Sequence, residues 1–576
     1  MLPKEKLGFY MRLRSLAPLV SRRAGARHLT HAVLALWLED KFPLLSRDAL
    51  EHVQTFRKHP GVIKLARWLG QRDLFESAFW LSSAYAAWVR AEVRREQAMF
   101  FTPPELANRL IGNLAQNGAD FTKHVFMDPA CGGAAFLAPV AARMRSDLLK
   151  KGLGAKAILE HVRTQLIGAD LDPTLWELST IFLKMTLYEE IVAVGKEPEF
   201  NVREGNALNQ SNALRGKVDV VLCNPPYRKM LAREVTRYRG QYGHVIEGQP
   251  NLYTLFFALS LDLLKPGGIA GLLTGTSYLS GQYFSKLRTF LLEKSHTRQI
   301  DVIGARTGVF VGAELNTAVT VLQKRDSSAG KTEKTRVFAI CRANGFEAVG
   351  SYTLPNSGAA WPIPRSTEDA EAVTLANGSR FTLKDYGYAI RIGGFVWNRD
   401  KRNRFSTEAE AHKNTKAAFP LIWSSDIGQN GRVTFQSDHG QHAFVDMGTR
   451  EHSYVIRRPC VVLQRVTSND QPRRLVAAAI DAKLLKQYGG IVGENHVVVL
   501  ERMDASASLT PREMARVLSS KPLDHLFRCI SGAANVSAFE LSQLPMPDPA
   551  ALEKELRRTN DADTAVRRAF QAQHRH

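Results

Sequence analysis

The sequence predicts an α/β fold with a helical region before it and an α+β region after it. In residues 96–324, short apolar segments such as VDVVLC and GIAGLLT alternate with stretches of helical spacing, which is typical of a parallel sheet covered by helices. Before residue 96 the apolar residues recur at helical spacing, as in ESAFWLSSAYAAWVR. After residue 380, short strands separated by Gly, Asn, Asp and Pro indicate an α+β or mostly β module.

The strands of the sheet and the limits of the domains are predicted from the same patterns. We expect strands at HVFMD, QLIGAD, VDVVLC, GIAGLLT, QIDVIG and TAVTVLQK. The polar sequence RDSSAGKTEKT, directly after Lys324, has the composition of an exposed connection and predicts a domain boundary. The predicted divisions are a helical region at 1–95, the α/β core at 96–325, a linker at 326–380, the C-terminal module at 381–550, and a helix or tail at 551–576.

The charge of the chain favours a polyanionic partner. The 576 residues include 77 Lys and Arg against 56 Asp and Glu, which gives a formal net charge of +21. Each phosphate that a basic side chain neutralises releases condensed counterions, so this balance promotes binding to nucleic acid. A basic protein that binds nucleic acid only weakly agrees with the charge equally well, so the charge alone does not decide between them.

The cysteines and the apolar runs argue against two further classes of protein. The five cysteines lie far apart and form no CxxC pair, so we expect no metal site and free thiols in a reducing cytoplasm. No apolar run approaches the roughly 18 residues that a membrane helix needs, and the first 30 residues contain no secretory signal. We therefore expect a cytoplasmic protein without a membrane partner.

The strongest chemical signal is the tetrapeptide Asn224-Pro225-Pro226-Tyr227, which directly follows the apolar strand VDVVLC. The exocyclic amine of a nucleobase is a poor nucleophile because its lone pair is delocalised into the ring. The carbonyls of the Asn224 side chain and the Pro225 backbone can accept both amine hydrogens and draw the nitrogen toward tetrahedral geometry. The prolines stiffen the turn and remove competing N–H donors, and Tyr227 offers a flat face for an extruded base.

Two further strand ends favour a cofactor site beside this motif. HVFMD leads into the turn DPACGG at residues 128–133, whose small residues let backbone amides approach a ligand closely. QLIGAD ends in Asp170, at the position where a carboxylate normally binds a ribose diol. A rigid turn with a packed tyrosine would explain residues 224–227 alone, but it does not explain the three segments in this order.

These segments resemble the adenine-specific DNA methyltransferases of bacterial restriction–modification systems. The resemblance begins at residue 97 and runs to residue 324, and the sequence FFTPPE at 100–105 looks like the first cofactor motif of that family. It implies a Rossmann-like S-adenosylmethionine-dependent methyltransferase sheet, followed by an α+β target-recognition domain. It also implies S-adenosylmethionine as the cofactor. The implied catalytic residues are Asn224, Pro225, Pro226 and Tyr227.

The resemblance further implies where the cofactor is bound. Asp128 lies near its amino-acid part, and Asp170 accepts hydrogen bonds from the ribose hydroxyls. Asn206 stands where the family usually has an aspartate near the adenine ring, and its amide oxygen can still accept from the purine amine. Ala134 stands where glycine is common in the family. The implied cofactor-binding residues are Phe101, Thr102, Pro103, Asp128, Ala130, Gly132, Asp170, Asn206 and Ala207.

The C-terminal region is similar to the BsuBI/PstI-like branch of this family. The segments that carry the similarity are GFVWN at 394–398, PLIW at 420–423, QR at 464–465, RRL at 473–475, ENH at 494–496 and residues 537–547. Arg465, Arg473 and Arg474 are candidates for phosphate or guanine contacts because the guanidinium fork suits both; a solvated surface charge is the alternative for each. Phe310 either packs against the flipped base, as the family position implies, or is an ordinary core residue.

The resemblance implies a site-specific methyltransferase that modifies N6 of an adenine flipped out of double-stranded DNA, in a restriction–modification or related defence system. The alternatives are N4-cytosine methylation, RNA adenine methylation, and a catalytically silent DNA-binding specificity subunit. The first 95 residues contain no nuclease pattern, so we expect no cleavage by this chain. A cognate restriction endonuclease as a separate partner stays open.

Overall fold

The computed structural model describes most of the chain, which divides into two units. The described residues are 3–20, 23–46, 50, 54–303, 316–326, 334–340, 345–355, 358–434, 443–467, 471–480, 482–504, 508–531 and 535–573. The first unit comprises residues 1–278 and 286–356, and the second comprises residues 279–285 and 357–576.

The first unit combines helices with the strands of one sheet. The helices up to the unit boundary and just beyond it are α1 (Pro3–Leu16), α2 (Arg23–Lys41), α3 (Gln54–Arg57), α4 (Pro60–Gly70), α5 (Leu74–Trp88), α6 (Ala91–Gln97), α7 (Pro104–Gln116), α8 (Leu137–Lys150), α9 (Ala155–Gln165), α10 (Pro173–Thr186), α11 (Tyr188–Val194), α12 (Ala207–Gln210), α13 (Ala232–Tyr242), α14 (Tyr253–Leu263), α15 (Ser277–Ser280) and α16 (Ser285–Lys294). The strands are β1 (Phe126–Asp128), β2 (Leu166–Asp170), β3 (Asn201–Glu204), β4 (Val218–Cys223), β5 (Leu264–Gly275), β6 (Ser295–Ile303), β7 (Thr317–Lys324), β8 (Thr335–Ile340) and β9 (Phe346–Tyr352).

The strands pair in the order β3-β2-β1-β4-β5-β7-β6-β8-β9. The first five of them are parallel, as the alternation of strands and helices predicts. β7 is antiparallel to both β5 and β6, and β9 is antiparallel to β8. The prediction of a parallel sheet is therefore wrong for β7, because a buried apolar strand has the same residue pattern in either direction.

The strand order reverses between β1 and β4, and this reversal positions the functional site. From β1 the chain proceeds outward through β2 to β3, and from β4 it proceeds in the other direction to β5. The loops that follow β1 and β4 therefore diverge, which opens a crevice at the carboxyl ends of these strands. All three residues of β1 are buried, and so are five of the six residues of β4, which fixes both strand ends in the core.

The N-terminal helices share the hydrophobic core of the sheet. α5 is buried along almost its whole length, and its Trp80 is 1% exposed. Trp37 of α2 packs its ring against Phe182 of α10, with the ring centroids 6.2 Å apart. The helical character predicted for residues 1–95 agrees with the structure, but the predicted limit at residue 95 does not separate two units.

The segment predicted as a linker contains regular structure. β8 pairs parallel with β6, so residues 335–340 extend the sheet, and β9 pairs with β8. A helix, α17 (Thr367–Ala376), lies later in the same segment. The linker prediction is wrong here because the polar sequence after Lys324 marks a connection between two strands and not the end of the sheet.

The second unit has an α+β architecture. Its further helices are α18 (Glu408–Asn414), α19 (Ala482–Tyr488), α20 (Pro511–Leu518), α21 (Lys521–Ile530), α22 (Ala538–Ser542), α23 (Pro549–Arg558) and α24 (Ala562–Gln573). Its strands are β10 (Tyr388–Ile392), β11 (Arg404–Phe405), β12 (Ala418–Ile422), β13 (Phe444–Asp446), β14 (Val455–Ile456), β15 (Cys460–Gln464), β16 (Ala477–Ile480), β17 (Ile491–Gly493) and β18 (Val497–Arg502). One sheet has the order β10-β18-β15-β16, and the other has the order β11-β13-β12-β17-β14.

The C-terminal end of the described chain is helical. α24 buries Val566 and Phe570 against its neighbours, so these residues form part of the core of the second unit and are not a frayed tail. Throughout the described ranges, no helix combines the length and the apolar character needed to cross a bilayer.

A buried carboxylate connects helix α7 to the sheet. Asp301 on β6 is fully buried and accepts hydrogen bonds from Arg109 Nε and Asn113 Nδ2, each at 2.7 Å. Gln299 Nε2 donates to its other oxygen at 2.7 Å. Because a buried charge without such donors would be strongly destabilising, this network holds α7 against β6.

We predict that Asp301→Asn lowers the free energy of unfolding by about 3 kcal/mol, because it removes the buried ion pair with Arg109 and introduces an amide donor facing other donors. Urea denaturation measures the change. As a control, Glu160→Gln removes the exposed pair with Arg163 and should leave the stability nearly unchanged. Equal stabilities of the two variants would contradict the assigned role of Asp301.

Candidate active site

A cavity of about 430 Å³ lies at the carboxyl ends of β1, β2 and β4, where the strand order reverses. The turn after β1, the end of β2, the start of α12 and the segment before α7 all contribute to its lining, as do Asn224 and Pro226 after β4. The structure thus brings the three predicted segments around one cavity. Its volume is in the range typical of sites for small molecules, which is roughly 300–1,000 Å³.

The carboxyl group of Asp128 is buried at the end of β1. Its Oδ1 accepts a hydrogen bond from the Ala130 amide at 3.0 Å, whereas Oδ2 is buried and has no hydrogen-bond partner among the described residues. Burial raises the pKa of this carboxyl well above its ordinary value, and the negative charge of Asp170 raises it further. An unpartnered carboxylate oxygen in a cavity wall is a suitable acceptor for a cationic ligand group.

The turn after Asp128 has a backbone that few residues other than glycine adopt. Gly132 has φ +54°, and a Cβ at this position would lie 3.4 Å from the ring of Phe101. Ala134 has φ +58° although it carries a side chain, and this left-handed conformation costs roughly 1–2 kcal/mol for a residue with a Cβ. Ser179 Oγ donates to the Gly132 carbonyl at 2.7 Å, which fixes the turn from helix α10.

Asp170 ties this turn to the end of β2. Its Oδ2 accepts from the Gly132 amide at 2.8 Å, and its Oδ1 accepts from the Asp172 amide at 2.8 Å. Burial raises the pKa of Asp170 to about 6, although the two amides act in the opposite direction. A carboxylate has about four acceptor sites, so Asp170 can still accept hydrogen bonds from a ligand.

Asn206 caps the short helix α12. Its Oδ1 accepts from the Leu208 amide at 3.1 Å, and its Nδ2 donates to the hydroxyl of Tyr238 at 3.0 Å. Since a backbone amide can only donate, this contact identifies the oxygen of the side chain. The predicted contact to a purine amine would therefore have to share that oxygen with the cap. Ala207 is buried and also lines the cavity.

The side chain of Asn224 is oriented by the segment before α7. Its Nδ2 donates to the Phe100 carbonyl at 3.2 Å and to Thr102 Oγ1 at 2.9 Å. A carbonyl oxygen only accepts, so the amide nitrogen must face this segment, and both of its hydrogens are used. Oδ1 has no hydrogen-bond partner among the described residues, which leaves it as an acceptor in a residue that lines the cavity.

Pro225 and Tyr227 do not line this cavity, whereas Pro226 does. Pro225 is buried. The Tyr227 hydroxyl donates to the Leu273 carbonyl on β5 at 2.7 Å, and its ring meets the ring of Tyr253 edge-on, with the centroids 6.3 Å apart. Burial raises the pKa of Tyr227 well above its ordinary value, so it stays a neutral donor. The tyrosine is therefore held by its hydroxyl end.

Among the other predicted cofactor-binding residues, Phe101, Thr102 and Ala130 line the cavity. Pro103 is buried at the start of α7, where it has the N-cap position, and it is not part of the lining. Its ring fixes the direction in which the chain enters the helix. The structure thus places Pro103 behind Thr102 and not at the cavity surface.

Several lining residues have no counterpart in the sequence predictions. Tyr238 and Arg237 on α13 line the cavity, and Arg228 forms an ion pair there with Glu234, its two nitrogens lying 2.6 and 2.5 Å from the carboxylate oxygens. Glu96 contributes from the end of α6. No strand end or turn motif marks these positions in the sequence. Only the helical spacing of α13 could have indicated that Tyr238 and Glu234 share a face.

The predicted DNA contacts in the second unit have different environments. Arg474 is fully buried; its guanidinium donates to the Thr467 carbonyl at 2.5 Å and to Ser531 Oγ at 2.8 Å. Its prediction as a DNA contact is therefore wrong, because sequence does not distinguish a core arginine from a surface one. Arg465 donates to the Asn495 carbonyl at 2.7 Å and is half-buried, as is Arg473. Phe310 lies outside the described residues.

Comparison with known proteins relates the chain to restriction–modification methyltransferases. Residues 160–310 match the family model of the Eco57I restriction-modification methylases. The chain is 23% identical over 344 residues to the type II methyltransferase M.BsuBI of Bacillus subtilis, a match that covers 57% of this chain and 64% of the relative. It is 23% identical over 437 residues to M.PstI of Providencia stuartii, covering 70% of this chain and 82% of the relative.

Two solved structures share the fold. The type IIL restriction-modification enzyme MmeI in complex with DNA aligns with a TM-score of 0.56 and 12% identity, covering 89% of this chain and 80% of the other. The ATP-dependent type ISP restriction-modification enzyme LlaBIII bound to DNA aligns with a TM-score of 0.53 and 10% identity, covering 96% of this chain and 47% of the other. These structures confirm the predicted fold class, and the type II methyltransferase relatives support the predicted resemblance at low identity.

The matches to methyltransferases imply S-adenosylmethionine as the cofactor, and the residues of the cavity fit its chemistry. The unpartnered Oδ2 of Asp128 suits an ammonium group, and the carboxylate of Asp170 suits a ribose diol. The absence of a Cβ at Gly132 leaves room for a ligand beside the Phe101 ring. Asp128, Gly132 and Asp170 all line the same cavity.

We predict that Gly133→Ala lowers the free energy of unfolding by roughly 1–3 kcal/mol, because its Cβ would lie 1.9 Å from Ser82 Oγ of α5. Gly112→Ala in α7 is the matched control: no atom lies within 4 Å of that Cβ, and alanine favours the helix. Chemical denaturation of both variants tests this. A Gly133→Ala protein as stable as the control would show that α5 does not pack against this turn.

Proposed function

Since the chain is related to the type II methyltransferases and shares the fold of restriction–modification enzymes, we propose that it is a site-specific DNA methyltransferase that acts on N6 of adenine. The proposed substrate is double-stranded DNA with one adenine turned out of the helix, and the proposed methyl donor is S-adenosylmethionine. The proposed role of the enzyme is the modification activity of a restriction–modification or related defence system.

The observation that supports the proposal best is the orientation of Asn224. Both hydrogens of its amide are used by Phe100 and Thr102, so its oxygen is presented as an acceptor without any rearrangement. An acceptor already in place stabilises the positive charge that develops on an attacking amine. This orientation suits an amine substrate and would not serve a substrate that needs a donor at this position.

In the proposed reaction, the Asn224 side-chain oxygen and the Pro225 carbonyl oxygen each accept a hydrogen bond from one N–H group of the adenine amine. The nitrogen lone pair is then released from the ring and can attack in line. S-adenosylmethionine supplies an activated methyl group on a sulfonium. Transfer of that methyl group would form the nitrogen–carbon bond as the carbon–sulfur bond breaks, with S-adenosylhomocysteine as the leaving group and one amine proton released to solvent. No covalent enzyme intermediate is needed, and the buried thiols of Cys131 and Cys223 have no part in the reaction.

Tyr227 is proposed to support the extruded base. Its hydroxyl donates to the Leu273 carbonyl, and the residue is half-buried and lies two positions after Pro225. Stacking on the ring would compensate the few kcal/mol that unstacking a base from the duplex costs. Arg465 and Arg473 in the second unit are proposed as contacts to the DNA, where arginines bind phosphate or guanine.

The alternatives differ in the product. N4-cytosine methylation uses the same acceptor chemistry, and RNA adenine methylation differs in the polymer. A silent specificity subunit would bind DNA without a need for the acceptor oxygen of Asn224. Sequencing of DNA from cells that express the protein, with methylated adenines and cytosines identified, separates these products. Absence of any modified base, together with failure to bind S-adenosylmethionine, would contradict the enzyme proposal.

We predict that Asn224→Ala lowers kcat for DNA methylation by at least about 100-fold, because one of two acceptors at the reacting amine is lost. The cofactor Kd, measured by calorimetry, should change far less. Asn212→Ala, at an exposed asparagine that does not line the cavity, is the control and should retain full activity. Substantial turnover by Asn224→Ala would rule out the assigned catalytic role.

We predict that the affinity for the cofactor decreases as the pH is lowered through the pKa of Asp170, which burial raises to about 6. The carboxylate is present above pH 6 and is lost below it, so the Kd should increase about tenfold between pH 8 and pH 5. Asp170→Asn should reduce this pH dependence while weakening binding at pH 8. The pKa of Asp128 is also raised above its ordinary value. The Asp128→Asn variant therefore shows whether any pH dependence that remains in Asp170→Asn comes from Asp128. A flat profile in the unmodified protein would contradict the role of Asp170.

A further inference from the structure

The hydroxyl of Tyr85, on the N-terminal helix α5, contacts an acid beside the cavity. It donates to the carboxylate of Asp172, with both carboxylate oxygens at 3.1 Å. Tyr85 is 1% exposed and Asp172 is 2% exposed, so the contact is shielded from water. A hydrogen bond to a buried carboxylate is stronger than one at the surface, and its loss leaves an acceptor that water cannot reach.

Asp172 is the N-cap of helix α10 and is bonded on both sides. Its Oδ1 accepts from the amides of Thr174 and Leu175 at 2.9 and 3.2 Å. Its own amide donates to Asp170 Oδ1 at 2.8 Å. The side chain therefore fixes the start of α10, and its backbone fixes the direction of the Asp170 carboxylate.

Asp170 continues this chain of hydrogen bonds to the turn after β1. Its second oxygen accepts from the Gly132 amide at 2.8 Å. A continuous series of contacts thus runs from the Tyr85 hydroxyl through Asp172 and Asp170 to Gly132. The last three of these residues line the cavity, whereas Tyr85 lies behind them.

Helix α5 also contacts the turn after β1 directly, through Ser82, which lies one helical turn before Tyr85. Ser82 Oγ is so close to Gly133 that a Cβ there would lie 1.9 Å from it. Both loops that line the cavity at β1 and β2 are therefore backed by one face of α5. The two contacts are independent, because one is a hydrogen bond and the other is close packing.

We propose that Tyr85 is a positioning residue for cofactor binding, and that α5 of the N-terminal helical region completes the cofactor site. The inference rests on the proposed function, because it takes the cavity to hold S-adenosylmethionine. Tyr85 acts through Asp172 on the carboxylate of Asp170 and does not touch the ligand. The N-terminal helices are therefore part of the methyltransferase unit and not an accessory to it.

The test compares Tyr85→Phe with Tyr386→Phe. Tyr386 is also 1% exposed and donates to one carbonyl, that of Pro547, in the second unit. Tyr85→Phe should raise the calorimetric Kd for S-adenosylmethionine about tenfold, as loss of a hydrogen bond to a charged group does. The KM for the cofactor should rise in parallel, while kcat at saturating cofactor and the affinity for DNA stay within about twofold. Tyr386→Phe should leave the cofactor Kd unchanged.

A double-mutant cycle shows whether Tyr85 acts through Asp172. Serine keeps the N-cap of α10 but is too short to reach Tyr85, so Asp172→Ser removes the acceptor. The Kd of the double variant for the cofactor should be no higher than that of the single variant that binds it more weakly. If the two single substitutions instead raise the Kd by factors that multiply in the double variant, the proposed route through Asp172 is wrong. If circular dichroism shows that Tyr85→Phe does not fold, the Kd of the folded Asp172→Ser variant tests the proposal instead. An unchanged Kd for the cofactor in Asp172→Ser would then overturn it.

The outcomes also separate this inference from the proposed function. If the unmodified protein does not bind S-adenosylmethionine, the proposed function itself fails. If the unmodified protein binds the cofactor and Tyr85→Phe binds it as tightly as Tyr386→Phe does, the positioning role is wrong, and the proposed function is unaffected.

Discussion

The hydrogen bond from the Gly132 amide to the Asp170 carboxylate is the contact on which the cavity depends. It joins the loops that follow two neighbouring strands, and it brings a second acid close to the buried Asp128. Burial and the charge of Asp170 raise the pKa of Asp128, and burial raises the pKa of Asp170. The turn supplies the backbone amides of Ala130 and Gly132 that offset the cost of this burial, and the left-handed backbone that glycine allows at residue 132 sets the position of its amide.

The acceptor oxygen proposed to bind the reacting amine is fixed in a similar way, by groups outside its own motif. The orientation of Asn224 depends on Phe100 and Thr102, which precede α7 and belong to a distant part of the sequence. The segment FFTP thus contributes in two ways, since Phe101 and Thr102 line the cavity and Phe100 and Thr102 orient the side-chain amide of Asn224. A change in this segment should therefore affect chemistry and cofactor binding together.

The sequence allowed the site to be predicted wherever a strand end defined it. Asp128, Asp170 and Asn224 each follow a buried apolar strand, and parallel strands bring their carboxyl ends to one edge, so their convergence could be inferred without coordinates. The direction of β7 could not be inferred in this way, because the spacing of apolar residues is the same in parallel and antiparallel buried strands.

Contacts made by helices were harder to infer than those made by strand ends. Tyr238 and Tyr85 reach the site from α13 and α5, and such contacts depend on how the helices pack, which local patterns do not define. Arg474 shows the same limit in the second unit. A basic residue in a polar segment between two strands has the composition of a DNA contact, but its hydrogen bonds to Thr467 and Ser531 place it in the core.

Ala134 gives the turn a property that a glycine would not. Its φ of +58° lies in a small allowed region for a residue with a Cβ, whereas glycine would move freely through a much wider area. The strain is therefore accompanied by a narrower range of motion, which keeps the backbone amides preorganised before the ligand arrives. Less conformational entropy is then lost on binding, and a loop that looks under-optimised for stability is better suited to recognition.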